Sequence, residues 1–313
     1  MNRYCLILSL SLINYGLAVN EYYTYDKIDS TLHTWQNNYG QTPHPIFGNY
    51  GIIYNLDTIG FSSQNTLPIF AVKLTSDANL PKQDKPRVLI LGQCHAEEIY
   101  GVGISMNIIE CFLDPEECWD EFINIRPYLL NILKNSLEKI ELWVVPTHNP
   151  EGLRVVHGYC DEDIYATEGT CNGNWIEDPT YRKNIRDAVN LDTFDYVTGV
   201  GQDEDGVDLN RNYDVNWIFG DDLLEQTNSC NNNYNDDYDY YRGSAPLSEQ
   251  EIQAISKLAV SNKFLLSIAY HSSRSGNVDK IVVYPWAWED KSTIVESPGF
   301  DVISDLGDDI AEL

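Results

Sequence analysis

RVLILGQCHAEE, residues 87–98, sets an unbroken apolar run directly before a histidine and two glutamates. Arg87-Val88-Leu89-Ile90-Leu91 shows no alternation of polar and apolar side chains, the pattern of a strand buried on both faces. Glu98 to Leu113 then reads as helical, so His95 and Glu98 stand at a strand-to-helix junction.

The same grammar recurs on either side. Glu141-Leu142-Trp143-Val144-Val145 is a second buried strand, closed by Asn149-Pro150-Glu151-Gly152, a strong turn signal. Phe264 to Tyr270 is a third and runs straight into His271, and Ile281 to Tyr284 a fourth. Upstream, Gly51 to Leu56 and Leu67 to Leu74 are strand-like, and Tyr25, Ile28, Leu32 and Trp35 fall at helical spacing. Trp119 to Leu137 reads as a helix kinked or split at Pro127. Leu247 to Val260 reads as one opened by the capping-box-like Ser248-Glu249-Gln250-Glu251, and a last helix begins near Phe300. Two polar stretches, Val156 to Asp205 and Asp221 to Tyr241, read as surface excursions or loops within one domain. Strands alternating with helices predict an α/β fold with a mixed, mainly parallel central sheet and helices on both faces. Ligand sites in such sheets gather at the carboxyl ends of the strands, where both histidines fall.

The 313 residues suffice for one large α/β domain, and no repeat is visible. Arg3, the apolar Leu6 to Ile13 and the small-residue Gly16-Leu17-Ala18 predict a signal peptide over residues 1–18. No later run approaches the ~18 apolar residues of a membrane span. These signs predict export, to the extracellular space or a periplasm. A net charge of −28 argues against nucleic acid and anionic membranes as partners. Cys5 lies in the signal, which leaves six cysteines, an even number that permits disulfides. Cys160 with Cys171 and Cys111 with Cys118 are the plausible local pairs, and Cys94 reads equally well as a buried thiol.

His95, Glu98 and His271 offer two nitrogens and a carboxylate, a zinc ligand set that leaves a position open for water. Alone, H-x-x-E is a weak signal, since a histidine near a glutamate is more often surface chemistry or a bonded core group. The order of the motifs downstream of it is far more specific. Asn149-Pro150-Glu151-Gly152 precedes Arg182-Lys183-Asn184. Next come Gly206-Val207-Asp208-Leu209-Asn210-Arg211-Asn212, Tyr241-Arg242-Gly243, Ser248-Glu249 and His271-Ser272. From about residue 23 to its end the chain resembles the zinc carboxypeptidase family, which includes pancreatic carboxypeptidases A and B and bacterial carboxypeptidase T.

The resemblance implies His95, Glu98 and His271 as zinc ligands, and Arg182 as the catalytic cation that receives the scissile carbonyl oxygen. It implies Asn210 and Arg211 as the grip on a substrate's free C-terminal carboxylate, which a guanidinium meets with two donors at once. Asp208 is expected to be a supporting residue only. The expected function is that of a secreted, monomeric metallocarboxypeptidase acting on peptides or proteins with a free C-terminus through a zinc-activated water. The alternatives are an inactive peptide- or zinc-binding relative and an amidase of the same fold acting on cell-wall peptides.

Two departures qualify the match. Glu97 stands where the family usually has an arginine that holds peptide further from the cleaved bond. The glutamate expected to move protons lies well downstream of the last histidine, and Glu289, Glu296 and Glu312 come too early for it. Residues 19–313 are therefore expected to form a catalytic domain incomplete at its C-terminus.

Overall fold

A computed structural model describes residues 22–81, 83–118, 126–163, 166–186, 206–215, 217, 240–272, 281–283 and 299–311. The signal segment, most of both polar excursions, Cys230 and the three downstream glutamates lie outside the described residues.

The centre is a five-stranded sheet of β1 (Tyr54–Phe61), β2 (Pro68–Leu74), β3 (Arg87–Leu91), β4 (Glu141–Val145) and β7 (Leu266–Ala269), in the order β1-β2-β4-β3-β7. β1 with β2 and β2 with β4 are antiparallel, whereas β4 with β3 and β3 with β7 are parallel, so β2 alone runs against the rest. Two short strands, β5 (Tyr159–Cys160) and β6 (Trp175–Ile176), form a separate hairpin.

Alternation along the strands divides the core. Val88, Ile90, Leu142, Val144, Phe70 and Val72 face one layer, packed with α1 (Tyr25–Tyr39), α2 (Tyr100–Leu113) and α4 (Arg126–Lys139). Leu89, Leu91, Trp143, Val145, Ile69 and Ala71 face the other, against Ala254, Ile255 and Leu258 of α6 (Gln250–Asn262). Residues of β2, β3 and β4 thus bury their side chains on one side or the other, which is why the sequence carries no polar alternation there. By contrast β7, expected as a buried strand, alternates half-buried and exposed residues.

Several boundaries differ from the sequence reading for identifiable reasons. α4 starts at Arg126, so Pro127 stands in its first turn, where its missing N–H breaks no helical bond. The Asn149–Gly152 turn is the start of a helix, α5 (Pro150–His157). Asn149 Oδ1 caps it by accepting from Gly152 N at 3.1 Å, and Pro150 takes the first position. Ser248 makes no capping box. Glu249 is the N-cap residue of α6 without a side-chain cap bond, and the Ser248 hydroxyl donates instead to Glu249 Oε1 at 2.7 Å. Ile281, Val283 and the residue between them form no strand, and Tyr284 lies outside the described residues. α3 (Pro115–Cys118) ends in the Cys111–Cys118 disulfide, and Cys160–Cys171 bridges the β5 end to the next loop. Cys94 is a free, buried thiol. A final helix, α7, spans Phe300–Ala311, and no described helix is long and apolar enough to cross a membrane.

Candidate metal centre

His95 and His271 leave the carboxyl ends of the neighbouring strands β3 and β7. Their rings lie 4.9 Å apart, centre to centre. Glu98 reaches the same point because α2 starts close against the end of β3. A Cβ on Gly101 would lie 1.7 Å from the Gly92 carbonyl oxygen, so this approach requires glycine. Glu98 then bridges the two imidazoles, Oε1 at 2.9 Å from His95 Nδ1 and Oε2 at 2.8 Å from His271 Nδ1.

These donor atoms, all within 4.8 Å of one another, form a set suited to zinc. The far nitrogen of His95 supports that fit, since Nε2 lies 3.3 Å from Asp208 Oδ1. Asp208 and the Arg182 guanidinium, which lies 2.7 Å from the same nitrogen, together fix the ring plane and keep Nδ1 directed at Glu98. Burial works against the ionised form of Glu98, but hydrogen bonds from His271 and His95 outweigh it and hold the acid at about 2. Asp208 is fully buried, and against that burial its bond to His95 and the charge of Arg182 hold it well below the usual carboxylate range. Both acids are therefore anions at any physiological pH. Cys94 is not among these donor atoms, and burial pushes its thiol well up.

Arg182 comes to the same place by backbone pairing: its carbonyl accepts from Ala96 N at 2.9 Å, and Asn184 N donates to Val207 O at 3.2 Å. The 182–184 strap thus lies between the His95 loop and the Asp208 loop. Arg182 Nε donates to Asp208 Oδ2 at 3.0 Å, and a terminal nitrogen sits 2.7 Å from His95 Nε2. Its other terminal nitrogen lies 3.5 Å from Glu97 Oε1. Burial opposes its charge, yet Asp208 and Glu97 more than offset this and keep it cationic.

Gly206 (φ +83°) opens the next segment in a left-handed conformation, and a Cβ there would meet the Asn184 carbonyl at 2.1 Å. Asp208 then caps a single helical turn, Leu209–Arg211, accepting from Asn210 N at 2.9 Å. Asn210 is exposed and Arg211 partly exposed at this turn. The charges of Arg182 and Arg211 both act on Asp208. All six expected site residues therefore cluster at the strand ends.

Asp208 touches both His95 and Arg182, the supporting place expected of it. Its signal was its place two residues before Asn210. His148 was missed altogether. It is buried at the end of β4 with neither ring nitrogen hydrogen-bonded, and burial, with His271 and His95 nearby, pushes it down to about 3.

Comparison with solved structures yields bovine thrombin-activatable fibrinolysis inhibitor, in complex with tick carboxypeptidase inhibitor, at TM-score 0.50 and 18% identity. The match covers 87% of this chain and 66% of that one. Carboxypeptidase A from Helicoverpa armigera matches at TM-score 0.51 and 18% identity over 86% of this chain and 53% of that one. The chain thus spans between about half and two thirds of the length of these structures, and at such identity the likeness concerns the fold. No curated protein matches the sequence. A family model described as zinc carboxypeptidase matches residues 46–307, and by that match over most of its length the chain belongs to the zinc carboxypeptidase family.

Proposed function

We propose that this site is a metallocarboxypeptidase centre, with His95, Glu98 and His271 holding zinc, Arg182 facing the scissile carbonyl, and Asn210 with Arg211 receiving the substrate's C-terminal carboxylate. The reading rests chiefly on the convergence of two imidazoles and one carboxylate beside a buried, permanently charged arginine. Zinc held there would polarise the carbonyl and acidify water. Asp208 fixes the His95 ring and neutralises part of the Arg182 charge. Arg182 supplies a preorganised cation where negative charge develops, and loss of such a group commonly lowers the rate ~10²–10³-fold. Glu97 and Asp208 both engage Arg182, so neither is assigned the proton transfer. The net charge of −28 argues against nucleic acid as a partner.

The test is release of the terminal residue from peptides with free and amidated C-termini by the zinc-loaded protein. Release from free peptides alone, lost on chelation and sharply reduced in R211A, is expected. Equal release by the wild type from free and amidated peptides, or unchanged release from free peptides by R211A, would sink the carboxylate role. Because Glu97 and Asp208, the carboxylates beside the ligand set, are both engaged by Arg182, a second reading is a relative that binds metal and peptide without cutting. Carboxylate-dependent binding with no release of product would establish it.

A further inference from the structure

Tyr240 stands at the end of the Asn-, Asp- and Tyr-rich stretch that reads in sequence as a loop. Its ring centre lies 5.1 Å from Arg182 Cζ and 5.8 Å from Arg211 Cζ, so one aromatic ring stands within reach of both site cations. Its position is fixed from the adjoining backbone: the Tyr241 carbonyl accepts from Asp208 N at 2.8 Å. The Arg242 carbonyl accepts from Asn212 Nδ2 at 2.9 Å. The residues on either side of Arg211 are thus tied to the segment that carries the ring.

The two arginines differ in burial. Arg182 is buried and bonded to Asp208 and His95. Arg211 is partly exposed, and its terminal nitrogen donates to the neighbouring Asn210 carbonyl at 3.3 Å. We infer that Tyr240 is a positioning residue for Arg211: its ring stands within cation–π reach of both Arg182 and Arg211 and holds the second guanidinium where a substrate carboxylate meets it. The chemistry suits that task. A carboxylate in this place would form a salt bridge with Arg211 and compete with the substrate. An aliphatic side chain would offer no attraction to a cation. A ring face attracts guanidinium through its quadrupole and leaves the demand for a carboxylate unmet.

This inference rests on the proposed carboxylate role of Arg211. The test is calorimetric binding of 3-phenylpropionate, which has a free carboxylate and no peptide bond, and of its amide, to the zinc-loaded full chain. Y240A, with Y240L as a second truncation, is expected to weaken the acid about tenfold (~1.4 kcal/mol). Y240F should stay within about twofold of wild type, since it keeps the ring face. In an R211A background Y240A should have almost no further effect, because its action passes through Arg211. Wild-type affinity or tighter binding in both truncations, or equal losses in Y240F and Y240A, would overturn the assignment of Tyr240 alone. A wild type that binds acid and amide equally would instead overturn the carboxylate role of Arg211, and the inference with it.

Discussion

Glu251 and Glu151 show at the residue scale what the sequence could not display. Glu151 accepts from the Ser62 hydroxyl at 2.6 Å, and Glu251 from Ser63 N at 3.0 Å, so both buried acids hold the same turn between β1 and β2. Burial, and then the neighbouring Glu151, push Glu251 up to about 7 from 4.5. The folded state thus binds a proton more tightly than the unfolded chain. The stabilisation is complete below the unfolded value and is lost as pH rises through the folded one. Glu251 therefore contributes a fall in stability between about pH 5 and 8, a contribution that E251Q should remove relative to wild type. Thermal melts across the range check this, and parallel curves for the two proteins would refute it. Read in sequence, Glu151 sat in a turn motif and Glu251 in a helix start, places where acids are ordinarily solvated. Their shared burial arises only when the β1–β2 turn, α5 and α6 meet. His95, Glu98 and His271, by contrast, were legible, because ligand chemistry demands those residue types and their flanking motifs came in one order.

Among the elements, α5 carries the clearest consequence. Asn149 caps this helix and also donates through Nδ2 to the Cys94 carbonyl at 2.9 Å and the Lys183 carbonyl at 3.1 Å. One side chain therefore joins the end of β4 to the loop bearing His95 and to the strap bearing Arg182. N149A removes the cap and leaves two buried carbonyls short of a donor. It should lower unfolding stability by roughly 2–4 kcal/mol in urea titrations. A loss below about 0.5 kcal/mol, the scale of a surface substitution, would refute this linking role. The sequence showed Asn-Pro-Glu-Gly as a turn because the same residues serve turns and helix starts, and α5 runs only from Leu153 to His157 beyond them. The strands were easier to read. A run buried on both faces has no other stable setting, so β3 and β4 were found at their observed bounds.

For the whole molecule, the mixed sheet places β4, β3 and β7 side by side and parallel, with His148, His95 and His271 following their carboxyl ends. The fold class and the position of the site were legible because buried strands alternate with amphipathic helices. Strand order and the reversed direction of β2 were not, since they depend on contacts between segments far apart in the chain. The central claim is that these strand ends hold one zinc ion through His95, Glu98 and His271. Zinc K-edge absorption spectroscopy on the stoichiometrically loaded protein tests it most directly, with E98A and H271A beside wild type. The expected result is one zinc per chain, with nitrogen and oxygen neighbours at ~2.0–2.2 Å, and its loss from both variants. Failure to retain equimolar zinc, a sulfur neighbour at ~2.3 Å as from Cys94, or unchanged spectra in the variants would contradict it.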